Sequence, residues 1–96
     1  MTAWRLRPRL DLRWEDWGDR WSLYQGAAGE THLLDPIGAA LLQGLQAAPS
    51  SLETILARLA AECAVAVDAP LRARVVALLR RFDELGLIEP VADPAA

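Results

Sequence analysis

The stretch "GETHLLDP", residues 29–36, decides the fold, because a short strand stops there at the start of a helix. Its first half is typical of a turn that leads into a strand, 31–34. Asp35 is placed to cap a helix, and Pro36 suits the first helical position, where no backbone N–H is needed. The strand 31–34 either completes a sheet or leaves its outer edge free for another chain.

Two further strands are predicted before this one. Residues 5–14 alternate between apolar and charged side chains, the period of a strand with one buried face. Pro8 cannot donate to a neighbouring strand, so this strand is expected at a sheet edge. Residues 20–25 form the second predicted strand, and the glycine-bracketed segment 26–30 has hairpin length. Short turns joining the three strands predict an antiparallel meander.

Three helices are predicted after the meander. Apolar residues recur at helical spacing between Pro36 and Ala48. Ser50 and Glu53 have the spacing of a capping box, which predicts the start of a second helix. The third and longest helix is predicted at 70–85, and Gly86 is a natural left-handed stop. Strands followed by helices predict an α+β fold: a winged-helix-like domain with one three-stranded antiparallel sheet followed by three helices.

Length and composition are those of one small folded domain. The chain has 96 residues, of which 53% are hydrophobic, and this fraction argues against disorder. We expect a single domain over residues 1–90 and a flexible C-terminal tail over 91–96. Four tryptophans lie in the first 21 residues. They are expected to pack on the small sheet, and Trp17, in the polar turn 15–19, is expected to be the exposed one.

Charge and cysteine content narrow the functional classes. The formal net charge is −3, and all ten basic residues are arginine, which argues against a generic nucleic-acid binder. No apolar run is long enough to cross a membrane. The single cysteine excludes an internal disulfide, so a cytoplasmic location is predicted. An arginine- and alanine-rich, lysine-free composition is associated with bacterial genomes of high GC content.

The sequence contains no recognisable catalytic or metal-binding arrangement. His32 has no obvious aspartate or cysteine partner within its segment, and Cys63 lies on the apolar stripe of the second predicted helix. No pair of residues has the spacing of zinc ligands, and no glycine-rich loop has the context of a phosphate-binding loop. We therefore predict a protein that is not an enzyme and has no cofactor, metal site or catalytic residue.

Two stretches resemble a known family. Residues 17–45, "WGDRWSLYQGAAGETHLLDPIGAALLQGL", and 78–90, "LLRRFDELGLIEP", are similar to PqqD-type proteins. These proteins include the small chaperone of pyrroloquinoline-quinone biosynthesis and the recognition elements of ribosomally made, post-translationally modified peptides (RiPPs). The resemblance spans about residues 4–90 and is nearest to the PqqD-like peptide chaperones associated with HPr-kinase-related proteins. It supports fold and binding mode more than chemistry.

The resemblance implies a peptide-binding site. In the family, the leader of a precursor peptide adds as a strand beside the third strand, over a cleft shared with the third helix, and is presented to a modifying enzyme. Carried over to this chain, the implied site residues are Thr31, His32, Leu33 and Leu34 on the strand and Arg72, Val75, Val76, Leu79 and Phe82 on the helix. The implied partners are the precursor peptide and a modifying enzyme, with an HPr-kinase-related protein as the candidate.

Strand addition also answers the question that the segment 31–34 poses. An unpaired edge presents backbone N–H and C=O groups, which a peptide satisfies whatever its sequence, and side-chain pockets then discriminate. Two other functions stay open on sequence alone, a winged-helix DNA-binding regulator and a scaffold subunit of a kinase-like enzyme complex. Pairing of the open edge with a second copy, giving a homodimer, is a further alternative.

Overall fold

Six strands and three helices make up the residues that the computed structural model describes, 2–26 and 28–92. Over these residues the fold is α+β, as predicted. In chain order the elements are β1 (Thr2–Leu6), β2 (Leu12–Asp16), β3 (Trp21–Gln25), β4 (Glu30–Leu34), α1 (Pro36–Ala47), β5 (Ser50–Ser51), α2 (Leu52–Cys63), α3 (Ala69–Glu84) and β6 (Ile88–Ala92).

The predicted meander is present as the sheet β2-β3-β4, with antiparallel pairing throughout. Its register places Leu23 of β3 between Trp14 of β2 and His32 of β4. Leu23 is completely buried, so this row of side chains faces the core. Because strand side chains alternate, Ser22 and Tyr24 point to the opposite, outer face of the sheet.

The prediction of one strand over residues 5–14 is wrong. The chain turns at residues 7–10, and β1 and β2 belong to different sheets. Pro8 lacks a backbone N–H, and Arg9 adopts a left-handed conformation with φ 66°, so neither residue extends a ladder. The alternation of side chains continues across the break because each short strand keeps its own buried face.

The prediction of a single sheet is also wrong, because a second antiparallel sheet has the order β5-β1-β6. After α3, Leu87 leads into β6, which pairs with the whole of β1 from Leu6↔Ile88 to Thr2↔Ala92. The predicted tail therefore begins inside this strand, and its residues 93–96 lie outside the described part of the chain.

Acidic and hydroxyl side chains cap all three helices. The Asp35 carboxylate accepts a hydrogen bond from the Gly38 N–H at 2.8 Å, as its position before Pro36 predicts. Ser51, not Ser50, caps α2, because Ser50 is buried in β5. Gly86, with φ 76°, ends α3 and turns the chain into β6, as predicted.

The core lies between the helices and both sheets. Its largest fully buried side chains are Phe82, Leu23, Leu41, Leu42, Leu56, Leu59, Leu87, Ile88 and Val75. The α3 residues of this core recur at helical spacing, so α3 is anchored along its length. Core packing therefore fixes the rotation of α3 about its own axis, and with it the side of α3 that faces each sheet.

We expect Leu79→Asp to lower the free energy of unfolding by at least about 3 kcal/mol, because a buried apolar side chain would be replaced by a carboxylate without a partner. Leu79 is 3% exposed. Val76→Asp, one turn away and 38% exposed, is the matched control and should cost less than about 1 kcal/mol. Urea unfolding followed by circular dichroism measures both, and equal losses would contradict the assignment of Leu79 to the core.

Candidate functional site

The outer edge of β4 is the most conspicuous open feature of the fold. In the order β2-β3-β4, β4 pairs with β3 on one side only. Along the chain that the structure describes, no strand pairs with the other side of β4. The residues immediately after it, Asp35 and Pro36, already begin α1. The edge therefore presents a strand five residues long, bounded by a hairpin at one end and a helix at the other.

Two backbone hydrogen bonds in the turns fix which way the backbone groups of the sheet point. The Trp17 N–H donates to the Arg20 carbonyl at 2.9 Å, and the Gly26 N–H donates to the Asp11 carbonyl at 2.8 Å. In an antiparallel pair, successive residues direct their N–H and C=O groups alternately toward the partner and away from it. The two bonds agree on which residues of β3 face β2, and we call this alternation the phase of the sheet. It directs the backbone groups of Ser22 and Tyr24 toward β2 and those of the residues between and beside them, Leu23 among them, toward β4.

This phase determines the groups on the free edge of β4. Leu23 lies opposite His32, so the N–H and C=O of His32 are used in pairing with β3. The neighbours of His32 in the chain, Thr31 and Leu33, therefore direct their N–H and C=O groups outward. These two residues supply the donors and acceptors that a further strand would use.

The other border of the sheet, β2, is less suited to pairing. Its sequence, LRWED, contains charged Arg13, Glu15 and Asp16. Charged side chains on an edge strand disfavour the approach of another strand. On β2 the same alternation directs the backbone groups of Leu12, Trp14 and Asp16 outward, and one of these three is charged. On β4 neither Thr31 nor Leu33 carries a charge, and Glu30 is the acidic residue of the strand. By charge, the border at β4 therefore opposes the approach of a further strand less than the border at β2 does.

An ion pair identifies the side of α3 nearest to β4. The Arg74 guanidinium pairs with the carboxylate of Asp35, the residue that directly follows β4. Leu78 and Arg81 lie on the same side of α3 as Arg74, at helical spacing. We call Arg74, Leu78 and Arg81 the β4-side flank of α3. The sequence contains these residues but offered no signal for choosing this flank, because the choice depends on tertiary contacts.

Two of the helix residues implied by the family resemblance lie on the opposite flank. The two terminal guanidinium nitrogens of Arg72 donate hydrogen bonds to the carboxylate of Glu53 on α2, at 2.9 and 3.2 Å. Val76 lines a cavity of about 390 Å³ together with Trp4 and Leu52. Neither residue is brought to the edge of β4. A role for these two in peptide binding stays a prediction, and the geometry supplies no contact with β4 to support it.

The remaining helix residues of the implied site belong to the core. Val75, Leu79 and Phe82 are at most 3% exposed. They support the position of α3, and Leu79 also lines the cavity described above for Val76. A role for these three residues in peptide binding stays a prediction. On β4 the structure brings the four implied strand residues to one edge, with Thr31 and Leu33 pointing to the outer face and His32 and Leu34 to the core face.

Glu53 and Arg72 stabilise each other as charged groups. The hydrogen bonds and the charge of Arg72 hold the pKa of Glu53 below its usual range. The same contact raises the pKa of Arg72. The pair is exposed, so it ties α2 to α3 only weakly. Arg72 is thereby engaged within the protein.

Polar side chains line the core face of β4 near the hairpin. His32 Nε2 lies 3.5 Å from a Glu30 carboxylate oxygen without forming a hydrogen bond. Among the described residues, His32 Nε2 and Gln25 Oε1 are buried side-chain atoms without a hydrogen-bond partner. Such atoms are usually paired, with protein or with water. His32 Nε2 and Gln25 Oε1 are therefore able to form further hydrogen bonds at this end of β4, but they do not form a catalytic pair.

Across residues 2–26 and 28–92, no group of three or more His, Cys, Asp or Glu side chains is arranged to hold a metal ion. None of the helices there combines the length and the apolar character needed to cross a bilayer.

The outward direction of the Thr31 and Leu33 backbone can be tested by amide hydrogen exchange. In the free protein we expect the Thr31 and Leu33 amides to exchange quickly, because they face solvent. The His32 and Leu34 amides should exchange slowly, because they donate to β3. NMR-detected exchange at single residues measures this alternation. The reverse alternation would contradict the hydrogen-bonding phase derived above.

The Glu53–Arg72 pair predicts a small pH dependence of stability. The depressed pKa of Glu53 means that its carboxylate stabilises the fold at neutral pH and that this contribution is lost as the pH falls through that pKa. Glu53→Gln should therefore melt slightly earlier than the wild type at neutral pH and together with it in acid. Glu62→Gln, also on α2, is the control and should keep the wild-type pH dependence. A constant difference at all pH values would contradict a role for the ion pair.

Comparison with known proteins identifies the family. The family model described as Coenzyme PQQ synthesis protein D (PqqD) matches residues 20–88, a range that includes β3, β4 and all three helices. Members of this family are non-catalytic, peptide-binding accessory proteins of PQQ biosynthesis. Searches of curated proteins and of solved structures found no match. Because the matched range covers well over half of the 96 residues, the chain belongs to the PqqD family.

Proposed function

We propose that this protein is a non-catalytic peptide-binding module of a RiPP-type pathway. It binds the leader of a precursor peptide as an added strand along β4 and presents the peptide to a modifying enzyme. The observation that carries this proposal is the open edge of β4, with the N–H and C=O groups of Thr31 and Leu33 directed outward. Family membership supports the same function, because members of the PqqD family bind a precursor peptide.

The geometry supports different roles for backbone and side chains in peptide binding. Main-chain hydrogen bonds to Thr31 and Leu33 supply affinity that depends little on the peptide's sequence. Peptide side chains that point to the core face approach His32 and the β4-side flank of α3, where Arg74 and Arg81 are exposed. An unstructured peptide loses conformational entropy when it is ordered, so we expect modest affinity.

The finer assignments are part of the proposal. The resemblance of residues 17–45 and 78–90 supports the HPr-kinase-associated branch, and with it an HPr-kinase-related protein as the enzyme served. The same resemblance and the composition support a bacterial origin and a cytoplasmic location. The three helices and the meander support a winged-helix-like description of the fold. A second copy of β4 is the competing occupant of the edge, so we expect bound peptide to dissociate any homodimer.

Leu33→Pro tests strand addition directly. The Leu33 N–H faces outward, so proline leaves the pairing of β4 with β3 intact while removing the donor that the peptide needs. We expect binding to fall at least about tenfold, the equivalent of roughly 1.4 kcal/mol. The probe is a fluorescently labelled leader peptide from a short reading frame beside the gene, and anisotropy measures its affinity.

His32→Pro is the matched control, because the His32 N–H is directed at β3. This variant should lose thermal stability, whereas Leu33→Pro should keep a near wild-type melting curve. Undiminished peptide binding by a folded Leu33→Pro variant would contradict docking on β4. Capture of the modifying enzyme without any peptide present would instead favour a scaffold role.

A further inference from the structure

Large apolar side chains are exposed on the outer face of the meander. Trp17 is 59% exposed, Leu33 is 65% exposed and Tyr24 is 40% exposed. Leu33 and Tyr24 point to this face by strand alternation, opposite to the buried Leu23. The Trp17 indole N–H donates to the Ser22 hydroxyl at 3.0 Å, and this places Trp17 over the same face. The exposed apolar surface is therefore concentrated rather than scattered.

Trp17 and Leu33 are both next to Ser22 on the outer face of the sheet. Ser22, which holds Trp17, lies directly opposite Leu33. The phase of the sheet makes Ser22 and Leu33 a pair without mutual backbone hydrogen bonds, the type in which side chains lie closest. Trp17 is exposed yet held in place by a hydrogen bond, so the orientation of its ring is set before any ligand arrives.

The apolar surface of the outer face reaches the open edge at β4 and ends at β2, where the side chains are charged. On the outer face of β2, Arg13 and Glu15 lie opposite Tyr24 and Ser22, so the face becomes charged away from β4. At the opposite end of this face, Leu33 lies on the edge strand itself. An apolar area that adjoins the free edge and stops at β2 fits a narrow occupant on that edge rather than a broad partner covering the sheet.

We propose that Trp17 and Leu33 form a subsite for one large apolar side chain of the bound peptide, on the face of the sheet away from α3. This inference rests on the proposed strand addition along β4. The peptide residue opposite Leu33 directs its side chain to the same face as Leu33, because directly paired residues share a face. Its neighbours in the peptide point to the α3 side.

An open space lies at the end of the edge, beside the turn that carries Trp17, and Leu33 is the subsite residue that lines it. A shallow cavity of about 220 Å³ is lined by Leu33 and Leu34, by Asp19 and Arg20 of the β2–β3 turn, and by Asp35. Because Leu33 and Leu34 point to opposite faces, this cavity crosses the edge itself. The turn that carries Trp17 therefore forms one wall of the space that an added strand would enter.

The experiment selects peptides from a random displayed library on the immobilised full chain. We expect the selected peptides to share a large apolar residue at one position and to lose binding to Leu33→Pro. Trp17→Ser should weaken the best selected peptide by about fivefold, and replacing the shared apolar residue with alanine should then cause little further loss. Val67→Ser removes a similarly exposed apolar side chain elsewhere and should leave affinity unchanged.

The outcomes separate this inference from the function on which it rests. Absence of any selected peptide that is sensitive to Leu33→Pro would overturn strand addition and the subsite together. Sensitivity to Leu33→Pro with an apolar preference that survives Trp17→Ser would overturn the subsite alone. Circular dichroism of each variant establishes that the fold is retained. A second variant, Leu33→Thr, disrupts the subsite while leaving the indole of Trp17 in place. Loss of the apolar preference in both variants supports the subsite.

Discussion

The hydrogen-bonding phase of the sheet β2-β3-β4 is the constraint on which the proposed function depends. The turn at Trp17 and Arg20 sets the phase between β2 and β3, and the bond from Gly26 to Asp11 agrees with it. Because antiparallel pairing alternates strictly, this phase is passed on to β4. A shift of one residue would direct His32 outward and expose its side-chain face to solvent, exchanging every inward and outward group of the strand.

The topology explains why β4 stays open. Asp35 and Pro36 start α1 directly after the strand, so the chain leaves the sheet without a hairpin to a further strand. The N-terminal strand β1, which is adjacent to β2 in sequence, is used by β6 and β5 in the second sheet. Short length protects an open edge from indiscriminate association, whereas the border at β2 carries charge. The edge at β4, which is five residues long and carries one carboxylate, Glu30, at its hairpin end, is a compromise between access and solubility.

Local signals made much of the fold predictable, and non-local contacts account for what was missed. Asp35, Pro36 and Gly86 act through the backbone within a few residues, and the structure uses all three as predicted. The break at Pro8 and Arg9 separates two alternating patterns that are continuous in sequence, and β6 forms only because β1 is present to pair with it. For the candidate site, the sequence alone predicts the strand that carries the open edge. The side of α3 that faces this strand depends on the Arg74–Asp35 ion pair and on core packing, which the sequence does not show.

The two faces of β4 imply two kinds of discrimination by one short edge. Backbone pairing alone would accept almost any extended segment, so selectivity must come from the side chains that alternate along the added strand. On the core face, the β4-side flank of α3 carries Arg74, which is paired with Asp35, and the exposed Arg81, whereas the outer face carries the exposed Trp17 and Leu33. A segment that satisfies both faces must alternate in character along its length. That requirement, rather than tight binding, would allow a module of 96 residues to distinguish one precursor from other unstructured chains.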